Sequence, residues 1–202
     1  MFKIDNYHYS QRISVVLAAL WILFQMAGCA GDIYMSKGAT RGATTDAVAG
    51  AMGGIVSALV FGGDPADRAA QGAVAGVMAD SQVDQKARKQ REAGVSALRK
   101  QIGKDSFDGL VPLAECRHGV SLSQAAKARQ SKNPNFALAG LWLEVLSYAD
   151  QGEEDKARNL FPTLVEKDSD IKSESQAEET LRKALNELMD IRREHKLPRV
   201  CM

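Results

Sequence analysis

A chain of 202 residues, 45% hydrophobic and 25% charged, has room for one modest globular domain plus an appendage. A formal net charge of +1 leaves no whole-chain field to recruit nucleic acid. Aromatics are only 6%, against 17 glycines, which suits close helix packing better than a β-sandwich core.

The chain opens with "MFKIDNYHYSQR", polar and weakly basic. A continuous apolar run, "ISVVLAALWILF", fills 13–24. Its 12 residues fall short of the roughly 20 that a spanning helix needs. They fit the apolar region of a signal peptide, which takes about 7 to 15. The other reading is a short uncleaved anchor.

Met26-Ala27-Gly28-Cys29 follows. This tetrad resembles the lipobox of bacterial lipoproteins: a bulky apolar residue, two small ones, then cysteine. Met26 stands where leucine is commoner. The resemblance implies that 1–28 is a cleaved signal peptide and that Cys29 carries a thioether-linked lipid and an N-acyl chain. By the family's sorting rule, Ala30 rather than aspartate after the cysteine implies the outer membrane, on its periplasmic face. Cleavage would remove Lys3, Arg12 and Asp5 and leave a neutral chain.

Residues 29–37 read as a polar tether. Over 38–63 small residues recur every four positions, at Gly38, Gly42, Gly50, Gly54, Ala58 and Gly62, broken at Asp46. A four-residue step keeps them near one helix face. A stripe without side chains admits another backbone closely. "GGDPAD" at 62–67 reads as a turn, with Asp64 as cap and Pro65 in the first helical position. Gly72 and Gly76 repeat the theme in a second helix. Residues 38–83 thus predict a helical hairpin, and they resemble the glycine-zipper domain of outer-membrane lipoproteins. The stretch Ala47–Gly63 is uncharged for 17 residues, barely a bilayer's width. The reading is a hairpin in or against the membrane, with self-association through the zipper open. The alternative is a soluble hairpin rich in Ala and Gly.

Residues 84–104 carry seven basic and two acidic side chains. They predict an outward continuation of the second zipper helix, either facing anionic headgroups or simply solvated.

From 105 to 202 the periodicity is helical. Short helices are expected near 106–116 and 120–131, then a helix capped by Asn133 and Pro134 and stopped by Gly152. A second, over 153–168, contains Pro162. Leu141, Val145, Tyr148, Gly152, Ala157, Phe161 and Leu164 resemble the slots of one tetratricopeptide repeat, a helix–turn–helix of about 34 residues. The match departs at Leu141, where Trp is usual, at Glu144 and at Pro162. The repeat implies a protein-binding groove near Trp142 and Tyr148, unless both rings are core. Ser173 and Gln176 read as a capping box for a last helix. Its stripe Ala177, Leu181, Ala184, Leu188 and Ile191 covers the domain's own core or forms a seam with a partner.

Lipidation of Cys29 would leave Cys116 and Cys201 as an even pair, expected to join in an oxidising periplasm. Cys116, His118, His195 and Cys201 are also metal-ligand types, but their spacing matches no zinc motif. A Cys116–His118 nucleophile has nothing to orient it. The acidic residues of 150–179 read as exposed. The whole is expected to be all-α, a glycine-zipper hairpin followed by a TPR-like domain. It is read as a non-enzyme without metal or cofactor, scaffolding an envelope protein complex. The alternative role is a membrane-active oligomer built from zipper hairpins.

Overall fold

The computed structural model describes residues 40–77 and 85–201, with side chains placed over 45–72 and 92–201. The signal segment 1–28, Cys29, the tether and Gly38 lie outside the described residues. The described part is all-helical, without a strand. Helix α1 spans Thr40–Phe61, α2 Pro65–Val77, α3 Gln85–Ile102, α4 Lys104–Ala114 and α5 His118–Arg129. Then come α6, Pro134–Asp150, the short α7, Glu154–Arg158, and α8, Phe161–Lys167. The long α9, Glu174–Glu194, follows.

The α1–α2 turn forms as its residues dictate. Gly62 and Gly63 take φ of 75° and 122°, which suits residues without Cβ. Asp64 Oδ1 accepts from the Ala66 amide at 2.9 Å and caps α2. The two helices then run backbone to backbone. A Cβ on Gly54 would sit 2.0 Å from the Arg68 carbonyl oxygen, and one on Gly72 2.0 Å from that of Gly50. Small residues at these positions are therefore a steric requirement. Gly42 and Gly76 fall in helical turns of α1 and α2.

The hairpin does not form a core of its own. Val48, Met52, Ile55, Val56 and Leu59 of α1 belong to one apolar cluster with Leu110, Leu113, Trp142, Leu146, Leu181 and Leu188. Helix α1 is buried on every side from Ala47 to Leu59, because α2, α3, α4, α6 and α9 all pack on it. Helix α1 thus shares one core with the helices of residues 105–201. A helix hydrophobic all round is equally the central helix of a protein core. Among the described residues no helix is long and apolar enough to cross a membrane. Helix α3 does not project outward either. It packs back on α1 and α2, and Leu98 lies against Gly53.

The rest follows the expected punctuation. Asn133 Oδ1 accepts from Asn135 and Phe136 amides at 3.0 and 3.4 Å, with Pro134 at the first position of α6. Gly152, at φ 82°, lies just past the end of α6. The helix expected over 153–168 with an interruption at Pro162 is split into α7 and α8, and Pro162 stands in the first turn of α8, where its missing N–H costs nothing. Ser173 Oγ accepts from the Gln176 amide at 3.2 Å. The return arm of this capping box goes one residue early, from the Lys172 amide to Gln176 Oε1. Ala177, Leu181, Ala184, Leu188 and Ile191 all face the common core.

Candidate functional site

Helices α4 and α9 end in the same way. Past α4, Cys116 is left-handed at φ 59°, its amide bonds to Leu113 O, and the Arg117 amide reaches back to Pro112 O at 2.8 Å. Past α9, Lys196 is left-handed at φ 56°, its amide bonds to Arg193 O, and the Leu197 amide reaches back to Arg192 O at 2.9 Å. Both are Schellman closures in which a side-chain-bearing residue holds the place that favours glycine. At Cys116 the side chain is needed, since it bonds Cys201: the sulfurs are 2.00 Å apart and the Cα atoms 5.3 Å. The expected pairing is present.

Beside this disulfide lies a buried ionic cluster. Asp150 ends α6, His118 opens α5 and Arg192 sits in the last turn of α9. Arg192 is only 1% exposed. Its Nη1 donates to Asp150 Oδ1 at 2.7 Å and its Nη2 to Asp150 Oδ2 at 2.6 Å. The same guanidinium donates from Nε to Ala114 O at 2.9 Å and from Nη2 to Leu113 O at 2.8 Å. One side chain thus serves a carboxylate and two carbonyls at the negative end of α4, of which Leu113 O also accepts from the Cys116 amide. His118 Nε2 lies 2.6 Å from Asp150 Oδ2. Since the carboxylate only accepts, Nε2 carries the proton there. Cys201 Sγ touches Asp150 Oδ2 at 3.4 Å, a contact rather than a hydrogen bond because a disulfide sulfur has no proton.

Of the four metal-ligand residues noted in the sequence, Cys116, His118 and Cys201 come together here, with Asp150 among them. His195 is not in the donor group, and its Nε2 is buried without a hydrogen-bond partner. With both thiols oxidised, a Cys116–His118 nucleophile is not available.

The acidic stretch 150–179 is not uniformly exposed, contrary to expectation. Besides Asp150, Asp168 is buried at 3% exposure. Its Oδ2 accepts from Trp142 Nε1 at 2.8 Å and its Oδ1 from the Asp170 amide at 2.9 Å. Trp142 is therefore core and lines no groove. Tyr148 is half-buried, with Lys156 Nζ 5.4 Å from its ring centre. Of the repeat-like positions, Leu141, Val145, Ala157, Phe161 and Leu164 are buried and Gly152 is exposed.

Comparison with protein-family models, curated proteins and solved structures gives no match.

A second feature is a half-open groove of ≈ 170 Å³ between α6–α8 and α9. Ala149, Ala157, Phe161, Leu181 and Leu185 make its apolar wall, with Arg158 and Arg182 among the charged residues lining it. Further along α9, Lys183 is held above its usual pKa by its hydrogen bond to Glu179, and Glu179 is lowered by the same bond.

Asp150 and Arg192 were missed in the sequence, although the signal exists. Arg192 lies four residues after Leu188 on the stripe that packs inward, and Asp150 lies four after Leu146. A charge at a core-facing helical position calls for a buried partner.

Proposed function

We propose that this chain is an exported, lipid-anchored helical adaptor that binds a protein partner in the cell envelope. The observation that carries the reading is the Cys116–Cys201 disulfide, which suits an oxidising compartment. The Met26-Ala27-Gly28-Cys29 tetrad would deliver the chain there and place a lipid on Cys29. The anchor is then the acyl chains, and the helical body stands clear of the bilayer on its periplasmic side. The groove between α6–α8 and α9 offers apolar wall and paired charges of the kind that a partner's helix fills. In this reading the small-residue helices α1 and α2 serve the core.

The anchor is tested by feeding cells a clickable palmitate and fractionating them. Wild type takes up label and sediments with membranes; Cys29→Ala loses the label and turns soluble. A wild-type chain without label sinks the lipid anchor. The adaptor role is tested with a photo-cross-linking residue at Leu185, in the groove, or at Lys132, away from it. A discrete adduct from Leu185 alone is expected. Equal adducts from both positions, or none, would count against the groove.

A further inference from the structure

Three donor atoms of different kinds converge at the carboxyl-terminal tail. His118 Nε2, an Asp150 oxygen and Cys201 Sγ lie within 4.8 Å of one another. The His118 and Asp150 side chains are 8% and 9% exposed. Nitrogen, carboxylate oxygen and thiolate sulfur together are ligands of zinc, whereas calcium and magnesium prefer oxygen alone. Zinc ligands at 2.0–2.3 Å from the metal stand about 3.3 to 3.8 Å from one another around a tetrahedron. Cys201 Sγ and Asp150 Oδ2, at 3.4 Å, already match that spacing. His118 Nε2 and Asp150 Oδ2, at 2.6 Å, need to part by under about 1 Å. What withholds the third ligand is the disulfide, because the thiolate binds metal and a bonded sulfur does not.

We propose that reduction of the Cys116–Cys201 bond opens a zinc site made by Cys201 Sγ, His118 Nε2 and Asp150 Oδ2. The reductant is a dithiol. It gives up two electrons and two protons and becomes a cyclic disulfide, while Cys116 and Cys201 become thiols. Zinc then takes the Cys201 sulfur and its proton leaves to solvent. The imidazole proton passes from Nε2 to Nδ1 by exchange with water, which frees the Nε2 lone pair. Arg192 Nη1 stays on Asp150 Oδ1 and fixes the carboxylate, as a partner behind a metal ligand does. Water fills the fourth position. Cys201 and Cys116 are only partly buried, so both reductant and metal have a way in. Cys116 is the lock and Cys201 the ligand. This inference rests on the cluster alone and is independent of the anchoring reading.

The asymmetry between the cysteines provides the test. The full chain, with Cys29→Ala so that only the pair can bind metal through sulfur, is dialysed against Zn²⁺ and its metal counted by mass spectrometry, with Co²⁺ absorption reporting sulfur and nitrogen ligation. The oxidised protein is expected to hold none and the protein reduced by a phosphine one equivalent. Cys116→Ser leaves Cys201 free and is expected to bind one equivalent without a reductant. Cys201→Ser is expected to bind none. His118→Gln in the Cys116→Ser background should weaken binding by about tenfold or more, since even partners behind the ligands are worth that much. Circular dichroism on each variant confirms the helical fold. Equal binding by Cys116→Ser and Cys201→Ser, binding unmoved by His118→Gln, or an empty, folded Cys116→Ser protein would each overturn the proposal.

Discussion

Arg192 and Asp150 meet through two parallel hydrogen bonds, at 2.6 and 2.7 Å, inside a protein whose surface they hardly reach. The pair ties the last turn of α9 to the last turn of α6, and the same guanidinium closes α4. One side chain on α9 thus holds the ends of α4 and α6 together, adding to the backbone bonds that already close α4.

Removing one partner leaves the other as an uncompensated buried charge. Arg192→Met is therefore expected to destabilise the fold by about 3 to 5 kcal/mol, measured by urea unfolding. Asp150→Asn should cost a comparable amount. The double variant should cost clearly less than the two singly, because each single change strands a charge that the other removes. Additive losses would show that the pair does not act as a unit.

The small-residue pattern of α1 contains two adjacent glycines that the structure separates. A Cβ on Gly53 meets the flexible end of Leu98 at 3.3 Å, whereas one on Gly54 meets backbone at 2.0 Å. Gly53→Ala is expected to change stability by less than about 1 kcal/mol, helix propensity offsetting slight crowding. Gly54→Ala should cost about 3 kcal/mol or more, since α2 must move away. Thermal melts that rank the two the other way would contradict the close α1–α2 crossing.

The helices and their punctuation were legible in the sequence because they rest on local chemistry. Asp64–Pro65, Asn133–Pro134, Gly152 and Ser173 act through their own neighbours, and each stands at a helix boundary. The Cys116–Cys201 pairing was expected only once the lipobox resemblance set Cys29 aside, since three cysteines alone name no pair. What local chemistry did not convey was the company α1 keeps. An uncharged run of small and apolar residues reads the same for lipid as for a shell of other helices, and α1 has the shell. The ionic cluster was hidden for a related reason. His118, Asp150 and Arg192 are far apart in sequence, and only the convergence of α4, α5, α6 and α9 brings them together. Charges in the acidic stretch 150–179 read as solvated faces, yet Asp150 and Asp168 each have a buried partner on another helix.

The disulfide closes a long loop, its cysteines 85 residues apart. Loop-closure entropy gives about 4 to 5 kcal/mol for such a constraint on the unfolded chain. Cys201→Ser and chemical reduction of the wild type should therefore lower the unfolding free energy by similar amounts, read from paired urea titrations without added metal. A change under about 1 kcal/mol would mean that the bridge constrains little.

Trp142 offers a spectroscopic handle on the second buried acid. Its indole N–H is satisfied by Asp168, which also ties the Asp170 amide. Asp168→Ala removes both acceptors from a buried site, and a cost of about 1 to 3 kcal/mol is expected for the orphaned donor. Tryptophan emission should shift in that variant, and Trp142→Phe should cost as much or more, because it strands the buried Asp168 oxygen and leaves a cavity in the core. Trp21 is the other tryptophan, and a Trp21→Phe background lets the emission report on Trp142 alone. An Asp168→Ala protein as stable as wild type would show that the bond is not needed.

Glu187 on α9 makes a prediction in pH. Partial burial raises its pKa above the usual carboxylate value, and the nearby charges of Asp190 and Asp64 push the same way. A raised carboxyl pKa means that the native chain holds its proton more readily than the unfolded one. The associated stability is present below the ordinary carboxylate pKa and lost as pH rises through the raised value. Glu187→Gln removes the titration. The variant should gain on wild type as pH rises from about 3 to about 7, by no more than about 0.5 kcal/mol because the side chain is only partly buried and water screens its neighbours. Unfolding free energies at the two pH values measure the difference. A gain that is the same at both would mean that neither burial nor the charges of Asp190 and Asp64 raise the carboxyl pKa in the native chain.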